Sequence, residues 1–502
     1  MNYLLGVDVG TSSTKSVLLA ESGEVVAIGQ KAYDFDTPHP GWAEQDPEVW
    51  WDAAKDTIQQ VLHISQVNPK HIRGIGFSGQ MHGPVFLDRA GNSLRPAIIW
   101  ADQRSAQECQ KIYEIVGKEG LYRTVCNPVD SGFMAATLLW IKTHEPETYK
   151  QIQTLLLPKD YVKYRLTEAL VTDPSDAGGT SLYDVRNLRW STEMTEWLAL
   201  SEEMFPEVKN AIDVVGTVSP KAARETGLAA GTPVVNGGND QTMGALASGA
   251  VKEGPVMLVI GTGGTLFTTV DSVVVDQELR MHTYPHCVPN KWHLLGAILA
   301  GGFCFKWFRN VLSPTQPYSY EEMTQEAAKI APGAEGAIFL PYLAGERTPH
   351  MDSFARGVMF GVTVRHTRAH LIRAIMEGVV FAMRDCLEIF KQLQVIPEKI
   401  FASGGGSLNP TWRQIQADIL GLPLITIQTP EKSATGAAMI AGIGTSIFSS
   451  FDEACQRSVS LGEEICPIAE HTTRYEGYYQ FYRSLYPKLQ ESFVEVFQLT
   501  SR

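Results

Sequence analysis

Two carboxylates stand where an apolar strand gives way to small, flexible residues. The first is Asp8 in Gly6-Val-Asp8-Val-Gly10-Thr11-Ser12-Ser13-Thr14-Lys15. The turn that follows it offers backbone N–H groups and hydroxyls with little side-chain bulk. Such a turn makes a concave nest for phosphate oxygens, and Asp8 is positioned to give an oxygen to a phosphate-bound Mg²⁺. Its flanking valines make an unpartnered carboxylate costly, so a purely local role fits poorly. The second is Asp240, in Asn239-Asp240-Gln241 at the end of an apolar run. A carboxylate there either caps the next helix or takes a proton from a bound hydroxyl.

The phosphate-type turn occurs twice. Gly10-Thr11-x-x-Thr14 matches Gly261-Thr262-x-x-Thr265, with Gly263 inside the second copy and Val259 in place of Asp8. A second echo pairs Ile75-Gly-Phe77-Ser78-Gly79 with Ile400-Phe401-Ala402-Ser403-Gly404. Two echoes in the same order point to duplication. The expected organisation is two related α/β domains facing one cleft, residues 1–245 and 246–502.

The elements that must hold these residues follow from periodicity. Residues 3–9, 15–20 and 25–30 read as a β-meander. Pro47 opens a helix in which Trp50 and Trp51 belong to the core. Residues 73–77 form a strand ending in Ser78-Gly79-Gln80-Met81-His82-Gly83, a polar loop where α/β proteins place ligand contacts. Residues 96–100 form another strand before Asp102 and Arg104, read as a structural ion pair. The cluster at 172–181 reads as structure without evident chemistry. Residues 233–238 are a strand and 244–249 a small-residue helix. Residues 294–308 read as a buried helix, too short and glycine-interrupted to span a membrane. Strand 399–402 meets Ser403-Gly404-Gly405-Gly406, bare backbone on which a planar base can lie. Residues 412–420 and 434–442 are helical. The stripe from Tyr475 to Leu489 is core packing.

A hydrophobic content of 44% against 19% charge describes a globular chain with ample core. The formal charge of −13 argues against nucleic-acid or anionic-membrane surfaces. Seven cysteines without a Cys-x-x-Cys read as free thiols in a reducing cytosol. The opening strand leaves no room for a targeting segment.

These motifs together resemble the FGGY carbohydrate kinases of the actin-like superfamily, over nearly the whole chain. Residues 6–15, 261–265 and 403–406 carry the resemblance, with Leu340-Pro-Tyr-Leu-x-Gly-Glu346-Arg347-Thr-Pro349. The resemblance implies two ribonuclease H-like domains around a central cleft. It also implies transfer of the γ-phosphate of ATP, with Mg²⁺, to a sugar hydroxyl. Asp240 becomes the base and Asp8 the Mg²⁺ contact. Thr11, Ser12, Ser13 and Lys15 face the γ-phosphate, and Gly261, Thr262, Gly263 and Thr265 the other phosphates. Gly405, Gly406 and Asn409 line the adenine. Gln80, Met81, His82 and Gln241 hold the sugar. The loop 79–83, with 95–100 and 157–161, is most similar to the ketopentose kinases and implies D-xylulose, phosphorylated at its C5 hydroxyl. Ribulose and gluconate are the alternatives. An actin-like ATPase or a non-catalytic sugar-binding regulator are readings of another class. Two departures bear on the sugar: Met134 and Thr137 stand ahead of Leu138-Leu139-Trp140, and Gln241 stands where these kinases often carry Asn. Glu346 and Arg347 are assigned to loop and interface structure. A homodimer is implied by the resemblance alone.

Overall fold

The computed structural model describes residues 1–312 and 318–500. The chain divides into two compact units, each interrupted in sequence. The first comprises Met1–Val251, Val270–His293 and Gln428–Ser460, and the second comprises the remaining segments. The single cut expected between residues 245 and 246 does not describe these units. Residues 270–293 and 428–460 belong with the first, because their apolar side chains find their partners there. Cys287, Val288, Ala438, Met439, Ile440 and Phe448 share one core cluster with Leu4, Leu19, Val235 and Met243. Among the described residues no helix is long and apolar enough to cross a membrane.

In the first unit the meander forms as expected: β1 (Tyr3–Val9), β2 (Ser13–Ala20) and β3 (Val25–Ala32) pair antiparallel in turn. Then come β4 (Ile72–Gly79), β5 (Val214–Thr217), β6 (Pro233–Val235) and β7 (Gly238–Asn239). The sheet order is β5-β6-β4-β1-β2-β3, with β4 parallel to β1 and β7 parallel to the end of β4. Trp50 and Trp51 are buried in the Pro47–Ser65 helix beneath this sheet, as their spacing implied.

The second unit repeats the plan with β8 (Pro255–Ile260), β9 (Gly264–Val270), β10 (Trp292–Ile298), β11 (Lys399–Ser403), β12 (Leu424–Ile427) and β13 (Leu461–Ile465). Their order is β10-β9-β8-β11-β12-β13. The registers bear out the duplication: Asp8 lies opposite Ser78 across β1 and β4, and Val259 opposite Ser403 across β8 and β11. The turns differ in one respect. Asp8 pairs with Lys15 across the first hairpin, whereas Val259 pairs with Thr265 across the second. The second turn is therefore tighter by one residue.

Residues 294–308 correct a sequence expectation. They are not one helix but the end of β10 followed by the Gly302–Leu312 helix. An apolar run of this length carries no period that separates strand from helix. The tyrosine stripe does pack inward, and its hydroxyls are used: Tyr475 donates to Glu377 and Tyr479 to Asp385 on the Arg368–Gln392 helix.

The tightest packing in the first unit involves the Lys432–Gly444 helix. A Cβ built on Gly6 would lie 1.9 Å from the Ala434 carbonyl oxygen, and one on Gly76 would lie 2.0 Å from that of Ala437. A Cβ on Gly436 would lie 2.0 Å from the Met243 carbonyl oxygen. The helix backbone thus rests directly on β1, β4 and the Asp240–Leu246 helix, which only glycine permits. Gly76→Ala should lower unfolding stability by about 3 kcal/mol, the upper range for overpacking, read as a shifted urea midpoint. Gly477→Ala, with open space around its Cβ in the long C-terminal helix, should gain about 0.5–1 kcal/mol.

Candidate active site

Asp8 stands near the end of β1, one residue before the turn. Its Oδ1 is closed off from solvent and has no hydrogen-bond partner. Burial pushes its pKa up to about 6, offset in part by the neighbouring Ser78 hydroxyl and the Lys15 charge. A buried, unpartnered carboxylate oxygen next to a hydroxyl-rich turn suits a cation. Among the described residues no three His, Cys, Asp or Glu side chains gather into a metal site. An ion at Asp8 would therefore complete its shell from a ligand and water, which is how Mg²⁺ is commonly held.

Asp240 is the first residue of the Asp240–Leu246 helix, and it is not the cap. Asn239 is: its Oδ1 accepts from Thr242 N at 2.9 Å. The capping alternative for Asp240 is thereby removed. Burial, and then the charge of Asp8, raise its pKa to about 7. The two carboxylates thus interact, and the charge of Asp8 makes Asp240 harder to ionise. Gln241 Nε2 lies 3.4 Å from Asp240 Oδ1, a long contact that still favours the ionised form.

The first turn is held by a buried amide network. Thr11 Oγ1 donates to Gln80 Oε1 at 3.0 Å and accepts from Trp100 Nε1 at 2.9 Å. Gln80 Nε2 donates to Gln45 Oε1 at 2.9 Å, and Gln45 Nε2 donates back to the Thr11 carbonyl at 2.7 Å. The one hydroxyl hydrogen of Thr11 is spent, so Thr11 offers a phosphate its N–H rather than its side chain. Gln80, expected at the sugar, is buried and ties the turn to the end of β4. Lys15, expected at the γ-phosphate, is paired with Glu431 at 2.5 Å. Ser12 is exposed and Ser13 half-buried, so both hydroxyls remain at the surface of the turn.

Met81 and His82 follow β4. His82 has a positive φ of 76°, and its Nδ1 lies 2.6 Å from the Gly179 carbonyl. A carbonyl only accepts, so Nδ1 carries the proton and Nε2 is the acceptor in the neutral ring. The ring stacks on Phe133 at 3.7 Å between centroids, with Tyr284 at 6.4 Å.

In the second unit the turn at Gly261 and Thr262 is exposed, and its carbonyls accept from the N–H groups of Gly301, Gly302 and Phe303. Gly263 is needed for packing, since a Cβ there would lie 2.7 Å from the Ile298 carbonyl oxygen. Thr265, the second residue of β9, is half-buried. Gly405 is open and exposed, whereas a Cβ on Gly406 would strike Ile260 at 2.6 Å. Asn409, expected at adenine, caps the Pro410–Leu420 helix through Oδ1 and bonds Thr324 through Nδ2. Of the three, Gly405 alone presents bare backbone outward.

The two halves of the chain match the two family models of the FGGY carbohydrate kinases, the N-terminal domain over residues 3–247 and the C-terminal domain over 256–445. The chain belongs to the FGGY family. It is a sugar kinase, a phosphotransferase acting on an alcohol group, with the actin-like ATPase fold. It is 35% identical to a xylulose kinase of Bacillus subtilis over 97% of each chain. The crystal structure of a xylulose kinase from Rhodospirillum rubrum superposes with a TM-score of 0.92 at 30% identity, covering 98% of this kinase and all of that chain. A gluconate kinase from Lactobacillus acidophilus superposes with a TM-score of 0.94 at 27% identity, covering 99% of both.

Sequence reasoning missed what holds these groups in place. Gln45, Ser175 and Glu431 carry no motif and lie far in sequence from the turn residues and the helix cap that they bond. Asp102 and Arg104 form the expected ion pair, and Arg104 also stacks over Trp42 at 3.7 Å. Glu346 ties its loop to β10's extension, accepting from Leu299 N at 2.9 Å.

A carboxylate whose pKa is raised by folding costs stability once it ionises. For Asp240 that cost grows as pH rises from about 4 to about 7 and is constant above. Asp240→Asn should therefore melt higher than the parent at pH 8, and the gap should narrow towards pH 5, read by calorimetry at both pH values.

Proposed function

We propose that this kinase transfers the γ-phosphate of Mg·ATP to the C5 hydroxyl of D-xylulose, giving D-xylulose 5-phosphate. The observation that carries the reading is Asp240: a carboxylate raised to about 7 at the exit of a parallel strand, charge-coupled to Asp8. A base is most effective when its pKa lies near the working pH. The support for xylulose is the naming of the similar kinases and the Met81-His82 loop. The likeness to a gluconate kinase keeps gluconate as the second substrate to test, since fold does not fix substrate.

Phosphoryl transfer asks a protein mainly for positioning and charge compensation. Asp240 takes the proton of the attacking hydroxyl. His82, its Nδ1 proton fixed on Gly179, orients the sugar by accepting from a hydroxyl at Nε2. The N–H groups of Thr11, Ser12 and Ser13 hold terminal phosphate oxygens, the Gly10 N–H being donated to the Ser13 carbonyl. When bound at Asp8, Mg²⁺ would neutralise phosphate charge. The exposed turn at Gly261 and Thr262, with Thr265, is assigned to the remaining phosphates, and the open face at Gly405 to the base.

The test is ADP release with Mg·ATP against D-xylulose, D-ribulose, L-ribulose, D-gluconate and glycerol, beside Asp240→Asn. Turnover should be strongest with D-xylulose and fall at least ~10²-fold in the variant, the lower bound for loss of a general base. Preference for gluconate would overturn the sugar and keep the base. An undiminished variant would overturn the base. In the wild type, kcat/KM should fall as pH drops through an apparent pKa near 7, because the base must be ionised and kcat/KM reports the free enzyme. A flat profile from pH 8 to pH 5 would contradict it.

A further inference from the structure

The short helix Pro174–Gly178 bonds the residue that precedes the base, and Gly179 at its C-terminus bonds the sugar loop. At its start, Asp173 Oδ2 accepts from Ser175 N at 2.8 Å and from Ser175 Oγ at 2.5 Å. Ser175 Oγ accepts in turn from Asn239 N at 3.1 Å, and the Ser175 carbonyl accepts from Asn239 Nδ2 at 3.0 Å. Asn239 then caps the helix that begins with Asp240. At the other end, the Gly179 carbonyl holds His82 Nδ1. A Cβ on Gly179 would lie 3.0 Å from Met81 Cε, so the segment also presses on the residue before His82.

Beneath this segment lies Lys159, fully buried. Its Nζ is 2.6 Å from Asp160, 2.9 Å from Asp173 and 2.9 Å from Asp176, all with no exposed side-chain surface. Two of its three anchors are on the 173–178 segment. Lys163 shares Asp160 at 2.8 Å, so two cations face three carboxylates. Burial raises Asp176 well above the carboxylate range. Apolar side chains of the same volume would fill such a space at no loss of stability. What buried ions add here is fixed geometry, between a lysine and the two ends of one turn of helix. Gly79, at the end of β4, admits Lys159: a Cβ there would lie 2.9 Å from Lys159 Cβ.

We propose that Lys159 and Ser175 are positioning residues for phosphoryl transfer. Lys159 locks the 173–178 segment, and that segment sets Asp240 and His82 relative to one another. The inference rests on the kinase reading above. Neither residue touches substrate; each acts through a group that does.

The test uses the full chain and the variants Ser175→Ala and Lys159→Met, with ADP release measured while D-xylulose and ATP are varied separately. Ser175→Ala should lower kcat roughly 10- to 100-fold, the scale for a displaced catalytic group, with KM for ATP held within about twofold. A general loss of structure would move both. Lys159→Met should lower kcat likewise and also raise KM for the sugar, because His82 shares the mount. If Lys159→Met fails to fold, Ser175→Ala decides alone. A folded Ser175→Ala whose kcat and sugar KM match the wild type would overturn the proposal. A wild type that turns over none of the sugars would overturn the kinase reading beneath it, so the two failures are distinct.

Discussion

The first unit depends on one close approach. The backbone of the Lys432–Gly444 helix lies against β1 and β4 at a separation that leaves no room for a Cβ at Gly6 or Gly76, and at its own Gly436 it meets Met243 as closely. That contact covers one face of the central strands, and it sets the Asp240–Leu246 helix against the same support. Asp8 is at the end of β1, two residues beyond Gly6, and Asp240 opens the helix that Gly436 meets. The distance between the two carboxylates is therefore governed by glycine packing behind them. Burial first, and the charge of Asp8 second, bring Asp240 to a pKa near 7, and the second of these depends on that packing.

The layout also explains the character of the site. Backbone N–H groups and two carboxylates supply most of its polarity. The polar side chains nearest the turn, Thr11, Gln80 and Gln45, are turned inward to hold its shape. A rigid nest of this kind does not reorganise as charge develops, which is the property electrostatic stabilisation requires.

Local composition made the chemistry legible. The turn at Gly10, its echo at Gly261, the carboxylates Asp8 and Asp240, and the meander of β1 to β3 could all be read within windows of a few residues. The interactions that place them could not. Ser175 and Asn239 meet across 64 positions, and Lys15 and Glu431 across 416, and no local pattern records such a pairing. Thr11 and Asn409 were read as ligand groups from the resemblance, yet their side-chain polar atoms are bonded within the fold. The same residue chemistry suits a ligand and a cap, and only the partner decides. The run at 294–308 failed for a different reason: glycine and aliphatic residues over so short a span suit a buried strand as well as a helix.

The discontinuity of the first unit has a consequence for synthesis. β1 to β4 emerge from the ribosome early, with glycines on the face that a helix must cover. That helix is encoded near residue 440. At about 5–20 residues per second, the sheet spends on the order of a minute with this face unsealed. The nascent chain must hold an apolar, side-chain-poor surface open for a partner not yet made. Maturation of the acid pair at Asp8 and Asp240 is thus one of the last events in the life of the growing chain.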